Sequence, residues 1–273
     1  MTARLAAGEA LGNLLATGRT AEVYALGDDR VVKVLRPGVP AAEAELEARA
    51  ARAVALAGIE APTLLGMAQV DGRSALIYAR VRGPSMLEVL LADRSRGAAL
   101  AETLGRMHAT MHGRDGSMLP DGADRIRDAV RRAAPHAEPG LVSAALARID
   151  QLPSDLGVSH GDFHPGNVIM AGAGPIAIDW LTASAGPTPA DIARTLLLLR
   201  DTALPDDLDT GARRELTELR HRFADAYLRA YLVARPVDTD VVASWRLIVL
   251  VARLSEGVPA ERSGLLEEAR RER

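Results

Sequence analysis

The chain has 273 residues, a net charge of −3 and no cysteine, which allows one large domain or two lobes and excludes a disulfide framework or thiolate metal site. Acidic and basic residues are interspersed without a long basic block, which argues against a nucleic-acid partner. Glu9 and Gly12 interrupt any secretory apolar segment, and the longest apolar stretch, Val241–Leu254, carries Ser244, Arg246 and Arg253, so a soluble cytoplasmic protein without a membrane partner is expected.

The first third reads as strands around one helix. Glu22–Leu26 and the turn Gly27-Asp28-Asp29 lead into the β-branched run Val31–Leu35, which Arg36-Pro37-Gly38 ends. Pro40 opens a helix over Ala41–Leu56, and Gly58 is placed to stop it. Thr63–Val70 and Ser74–Val81, joined at Asp71-Gly72, form a second hairpin. After Gly83-Pro84 the period changes to that of helices at Met86–Leu91, Ala98–His112, Asp124–Ala133 and Leu141–Ile149. Strand-like pieces return only at Val168–Met170 and Ile176–Ile178. Helices resume at Pro189–Arg200, Arg213–Ala234, Val241–Leu254 and near the C-terminus. With two Phe, four Tyr and two Trp, the core must be mostly Leu, Val and Ala. The pattern predicts an α+β protein, a small β-rich lobe over 1–82 followed by a larger helical lobe over 83–273.

The chemistry lies in His160-Gly161-Asp162-Phe163-His164-Pro165-Gly166-Asn167 and Ile178-Asp179-Trp180. An Asp, an amide oxygen five residues later and a carboxylate twelve beyond that form the set phosphoryl transfer needs. One carboxylate orients the attacking hydroxyl and accepts its proton, while two oxygen ligands hold Mg²⁺ against the phosphates of ATP or GTP. Asp162 is the candidate base, and Asn167 and Asp179 are the candidate metal ligands. The Asp-to-Asn spacing equals that of the protein-kinase catalytic loop, with Gly161 in place of its Arg. Lys33, on a central strand of the first lobe, is the phosphate-binding candidate and the only lysine in the chain. Glu43 and Glu47 share a face of the following helix, and either could hold it. Thr17–Tyr24 would be the hairpin covering the phosphates, with Gly18, Arg19 and Thr20 at its tip.

Over about residues 11–200 these features resemble the aminoglycoside phosphotransferase family, small-molecule kinases of the bilobal protein-kinase-like fold. The resemblance implies that Ala79 and Val81 hydrogen-bond the nucleobase, with Tyr78 behind that pocket, and that Glu47 rather than Glu43 pairs with Lys33. It gives His160 and Asp191 structural roles at the catalytic loop and makes His108 a packing residue. The acceptor would be a hydroxyl-bearing small molecule: an aminoglycoside, with antibiotic resistance as the consequence, another antibiotic, an amino alcohol or a sugar. Asp206, Asp207, Asp209, Glu215 and Glu218 could line a cationic-acceptor pocket but read more simply as a solvated face. Monomer and homodimer both fit.

Three other readings are weighed. His160, Asp162 and His164 spell an H-x-D-x-H metal cluster, hence a metal-dependent hydrolase, but Pro165-Gly166 ends any extended segment at once. A protein kinase needs an anchored activation segment, and only eleven residues separate Asp179 from Asp191. A non-catalytic nucleotide-binding scaffold would have lost the lysine, the base or a metal ligand, and all are kept.

Overall fold

The computed structural model describes residues 10–204 and 207–273, so Glu9 and Asp206 lie outside the described residues. Strands β1 (Leu14–Thr17), β2 (Ala21–Leu26) and β3 (Arg30–Leu35) precede helix α1 (Ala41–Leu56), which leads to β4 (Leu64–Val70) and β5 (Arg73–Ala79). Helices α2 (Met86–Ala92), α3 (Gly97–His112), α4 (Gly122–Arg132) and α5 (Pro139–Ile149) follow. The short strands β6 (Val158–Ser159), β7 (Val168–Ala171), β8 (Gly174–Ala177) and β9 (Ser184–Ala185) come next. The chain then runs through α6 (Thr188–Arg200), α7 (Thr210–Ala234), α8 (Thr239–Ser244), α9 (Arg246–Leu254) and α10 (Arg262–Arg271). No helix among the described residues is long and apolar enough to cross a membrane.

Among the described residues two compact units result, one running up to residue 86 and including 166–182, the other taking 87–165 and the rest of the chain from 183. The first is built on an antiparallel sheet in the order β1-β2-β3-β5-β4. Asp71 and Gly72 both take positive φ, 48° and 75°, as a two-residue type I′ hairpin turn demands. On β3 the side chains alternate. Val32 and Val34 enter a core with Leu26, Ala68, Val70 and Ala75, while Leu35 joins Ala44 and Ala48 of α1 and Leu76 of β5 on the other face. Lys33, two residues before Leu35, therefore points toward α1. The β7–β8 hairpin belongs to this unit because Met170 N–H donates to the Pro84 carbonyl at 2.8 Å and Ile169 bridges Ser85. Helix α1 also packs on the turn Trp180–Thr182.

The second unit is helical, around Trp245, Tyr227, Tyr231, Phe163 and Leu104. Its tightest approach is α3 against α7. A Cβ at Gly105 would lie 2.4 Å from the Tyr227 carbonyl oxygen, so only glycine permits this spacing. Two expectations need correction. Residues 158–159 and 184–185 pair as β6 and β9, which are two residues long and carry no readable period. Val241–Leu254 is two helices rather than one, broken at Trp245, where the Ser244 hydroxyl donates to the Asp240 carbonyl at 2.7 Å and the buried indole turns inward.

Candidate active site

In the first unit, one ammonium joins two carboxylates. Lys33 Nζ donates to Glu47 Oε1 at 2.9 Å, to Glu47 Oε2 at 2.8 Å and to Asp179 Oδ1 at 2.8 Å. Glu47 lies on the apolar side of α1 among Ala44, Ala48 and Ala51, which is why it, and not the less buried Glu43, reaches the strand. Leu76 and Tyr78 are two apart on β5 and face the same way, so the Tyr78 hydroxyl donates to Glu47 Oε1 at 3.0 Å. Burial opposes the Lys33 charge, but Glu47 and then Asp179 outweigh it and hold the lysine pKa above its ordinary value. Burial raises the Glu47 pKa, against the pull of Lys33 and with a contribution from Asp179. Burial, reinforced by Glu47, also keeps Tyr78 protonated.

Asn167 and Asp179 occupy the open end of the β7–β8 hairpin. Val168 pairs with Ala177, and one step further out Ile178 N–H donates to the Asn167 carbonyl at 2.9 Å. Asp179 follows with φ +65°, a left-handed backbone that a non-glycine residue adopts at a cost. Its side chain is 45% exposed, so the carboxylate can meet a cation besides Lys33. A carboxylate and an amide at one hairpin end are hard oxygen donors of the kind magnesium takes, and in this respect the residues fit the ion.

At the tip of the first hairpin, Gly18 N–H is taken by the Ala21 carbonyl at 2.8 Å and its carbonyl accepts from Arg36 Nε at 2.9 Å. Arg19 and Thr20 complete the turn into β2. Ala79 closes β5, its N–H donating to Thr63 O at 2.9 Å, and Val81 lies two residues beyond the strand.

The second unit holds the loop after β6. Asp191, in the first turn of α6, accepts His160 N–H at 2.6 Å on Oδ2 and Gly161 N–H at 2.9 Å on Oδ1. His160 is fully buried, and its Nδ1 lies 3.3 Å from Asp162 N, so the ring braces the loop it belongs to. Beneath Asp191, Nε2 of His108 and of His112 lie 3.0 and 3.3 Å from Oδ2, and their Nδ1 atoms meet the hydroxyls of Tyr227 and Tyr231 at 2.6 and 2.7 Å. Two i, i+4 pairs on facing helices make this possible. Burial works against ionised Asp191, but His108 and His112 hold its pKa well below the usual range. Burial, with His108, drives His112 down to about 4. Among the described residues these three groups gather as metal ligands would, whereas His160, Asp162 and His164 do not. Every ring nitrogen in the trio already has a hydrogen-bond partner, so the arrangement explains itself as a buried brace.

Asp162 presents its carboxylate beside Arg194, whose Nη2 lies 3.4 Å from Oδ1, while His164 Nε2 is 3.8 Å from Oδ2. Burial would raise its pKa; His164, Arg194 and His160 prevail, and the group stays ionised far into acid. Arg194 was not anticipated from the sequence, nor were Tyr227 and Tyr231. The available signal was the three-residue step from Asp191 to Arg194, which puts both on one face of α6.

No curated protein sequence matches the chain. Structural likeness is broad. An aminoglycoside-3′-phosphotransferase of type VIII superposes with a TM-score of 0.62 at 20% identity, covering 88% of this chain and 93% of that one. A choline/ethanolamine kinase family protein from Mesorhizobium loti gives 0.60 at 18%, covering 97% and 88%. A macrolide 2′-phosphotransferase from Brachybacterium faecium gives 0.56 at 16%, covering 95% and 93%. The expected protein-kinase-like α+β fold is thereby borne out. The model of the phosphotransferase enzyme family matches residues 12–243, well past the stretch the sequence motifs mark. With that match spanning most of its length, the chain belongs to the phosphotransferase enzyme family.

Proposed function

We propose that the protein is a small-molecule kinase that transfers the γ-phosphate of ATP or GTP to a substrate hydroxyl. The observation that carries the reading is the triad of Lys33, Glu47 and Asp179. A buried ammonium fixed by a helix carboxylate and touching the carboxylate that follows β8 is the arrangement that binds nucleotide phosphates in kinases. Lys33 would contact the α- and β-phosphates, and Glu47 would hold it there. Gly18, Arg19 and Thr20 would cover the phosphates, and Ala79 and Val81 would meet the base. Asn167 and Asp179 would hold magnesium, which when bound neutralises charge on the transferring phosphoryl group.

Asp162, five residues before Asn167 in sequence, would orient the acceptor hydroxyl. A carboxylate that stays ionised well below the usual range is a weak base. Its contribution is then position and negative charge, with the proton leaving late, as phosphoryl transfer through a loose transition state allows. Asp191 and His160 would support the loop.

The structural relatives named above act, by name, on an aminoglycoside, a macrolide and choline or ethanolamine, and these define the first acceptors to try. The test is phosphate transfer from ATP and from GTP, with Mg²⁺, to a panel of an aminoglycoside, a macrolide, choline, homoserine and simple sugars. Transfer to one acceptor that Asp162→Ala abolishes, with nucleotide binding kept, is the expected result. Nucleotide binding with no transfer to any acceptor and no hydrolysis would favour a scaffold instead.

A further inference from the structure

We infer that Arg194 is a positioning residue for Asp162, fixing the carboxylate from the same helix that fixes the loop's backbone. The inference rests on the reading of Asp162 as the acceptor-orienting group. Asp191 and Arg194 stand three residues apart on α6 and face the loop together. The first spends both carboxylate oxygens on the N–H groups of His160 and Gly161. That contact sets the backbone of the two residues that precede Asp162. The second reaches the Asp162 side chain itself, with Nη2 at 3.4 Å from Oδ1.

The guanidinium is itself held. Nη2 also bonds Glu256 Oε1, and Glu256 Oε2 accepts from Arg253 Nη1 at 2.5 Å. Arg253 then forks onto Glu261, Nε to Oε2 at 2.7 Å and Nη2 to Oε1 at 2.9 Å. Asp162, Arg194, Glu256, Arg253 and Glu261 thus alternate in sign, and all but Asp162 lie at most 21% exposed. Arg194 Nη2 is shared between Glu256 and Asp162, so the carboxylate of Glu256 fixes the nitrogen that meets Asp162. The charged and titratable groups facing Asp162 are His160 and His164 from its own loop, Arg194 from α6 and Arg253 from α9. Arg194 touches it from outside the loop.

The experiment measures ATP and GTP hydrolysis with Mg²⁺, water serving as acceptor, in wild type, Arg194→Gln, Arg194→Lys, Asp162→Asn and the Arg194→Gln/Asp162→Asn double variant. Arg194→Gln is expected to lower kcat roughly 10- to 100-fold, the range for a misplaced reacting group, with the nucleotide KM unchanged. Its activity should also decline at a higher pH than that of wild type as pH falls. Arg194→Lys should recover part of kcat, and Arg194→Gln should add no further loss on top of Asp162→Asn. If Arg194→Gln does not fold, Arg194→Met, which keeps the apolar stem packed, takes its place. Wild-type kcat and pH profile in the charge-removing variant, or an undiminished defect in the Asp162→Asn background, would overturn the inference. Wild-type hydrolysis in Asp162→Asn would instead sink the parent reading, so the two failures are distinguishable.

Discussion

The Tyr78 hydroxyl donates to Glu47 Oε1 at 3.0 Å, so the residue expected behind the nucleobase is tied to the carboxylate that fixes Lys33. Removing this hydroxyl leaves Glu47 with the lysine alone. Tyr78→Phe is expected to weaken nucleotide binding by a few-fold, in line with about 1 kcal/mol for one hydrogen bond. Glu47→Gln takes away the buried partner of a buried cation and should cost roughly 3–5 kcal/mol of stability. Isothermal titration with ATP and GTP, together with urea unfolding, reads both. Wild-type nucleotide binding in Tyr78→Phe would mean that Tyr78 acts by bulk rather than through Glu47.

Asp179 and Asn167 offer hard oxygens at one hairpin end. Asp179→Asn is expected to reduce nucleotide turnover at least 100-fold, as loss of a charged ligand from the proposed magnesium site implies. Chelation with EDTA should abolish turnover in wild type and added Mg²⁺ should restore it. The same substitution frees Lys33 from one partner, so its pKa should fall toward its ordinary value. Turnover that persists in EDTA would remove the ion from the chemistry.

His112 sets a pH limit on the fold. Its folded pKa, near 4, lies below the unfolded value of about 6.5. Above pH 6.5 both states are neutral at this ring and the full stability is present. Between pH 6.5 and 4 the unfolded chain takes up a proton that the folded chain refuses, so stability drains away by roughly 3 kcal/mol across the window. Asp191, whose pKa is depressed, adds to the loss only further into acid. Urea midpoints measured from pH 8 to 4 should decline through this interval in wild type, and His112→Gln should flatten the decline. A wild-type curve already flat there would exclude the buried neutral ring.

Gly105 sets the distance between α3 and α7. Gly105→Ala places a methyl 2.4 Å from the Tyr227 carbonyl, forcing the helices apart. Overpacking of this kind costs about 1–3 kcal/mol, and the shift would also stretch the contacts from His108 and His112 to Tyr227 and Tyr231. The expected outcome is a lower melting temperature together with reduced turnover. Unchanged stability would mean that α3 can slide past α7 freely.

The sequence carried the long periodic elements and the residues of the motif, because both are local. Ala41–Leu56 is a helix with the expected bounds, and Asp71-Gly72 turns as its residues dictate. The pairing of Lys33 with Glu47 could not be separated from one with Glu43 on periodicity, since an i, i+4 pair shares a face; burial beside Ala48 decides it. Arg194 escaped notice because its partner is 32 residues away and an arginine in an apolar helix ordinarily reaches solvent. Tyr227 and Tyr231 lie 119 residues from the imidazoles they meet. Helix-to-helix pairing at that separation depends on which faces pack, and a single sequence does not specify them.

Lys33 is the only side-chain amine in the molecule. An acylating reagent aimed at primary amines therefore has one internal address, and that address is shielded by two carboxylates. A nucleotide occupying the triad would shield it further. The label found on the peptide that carries Lys33, set apart from label on the α-amine, would then report occupancy of the site without any knowledge of the acceptor.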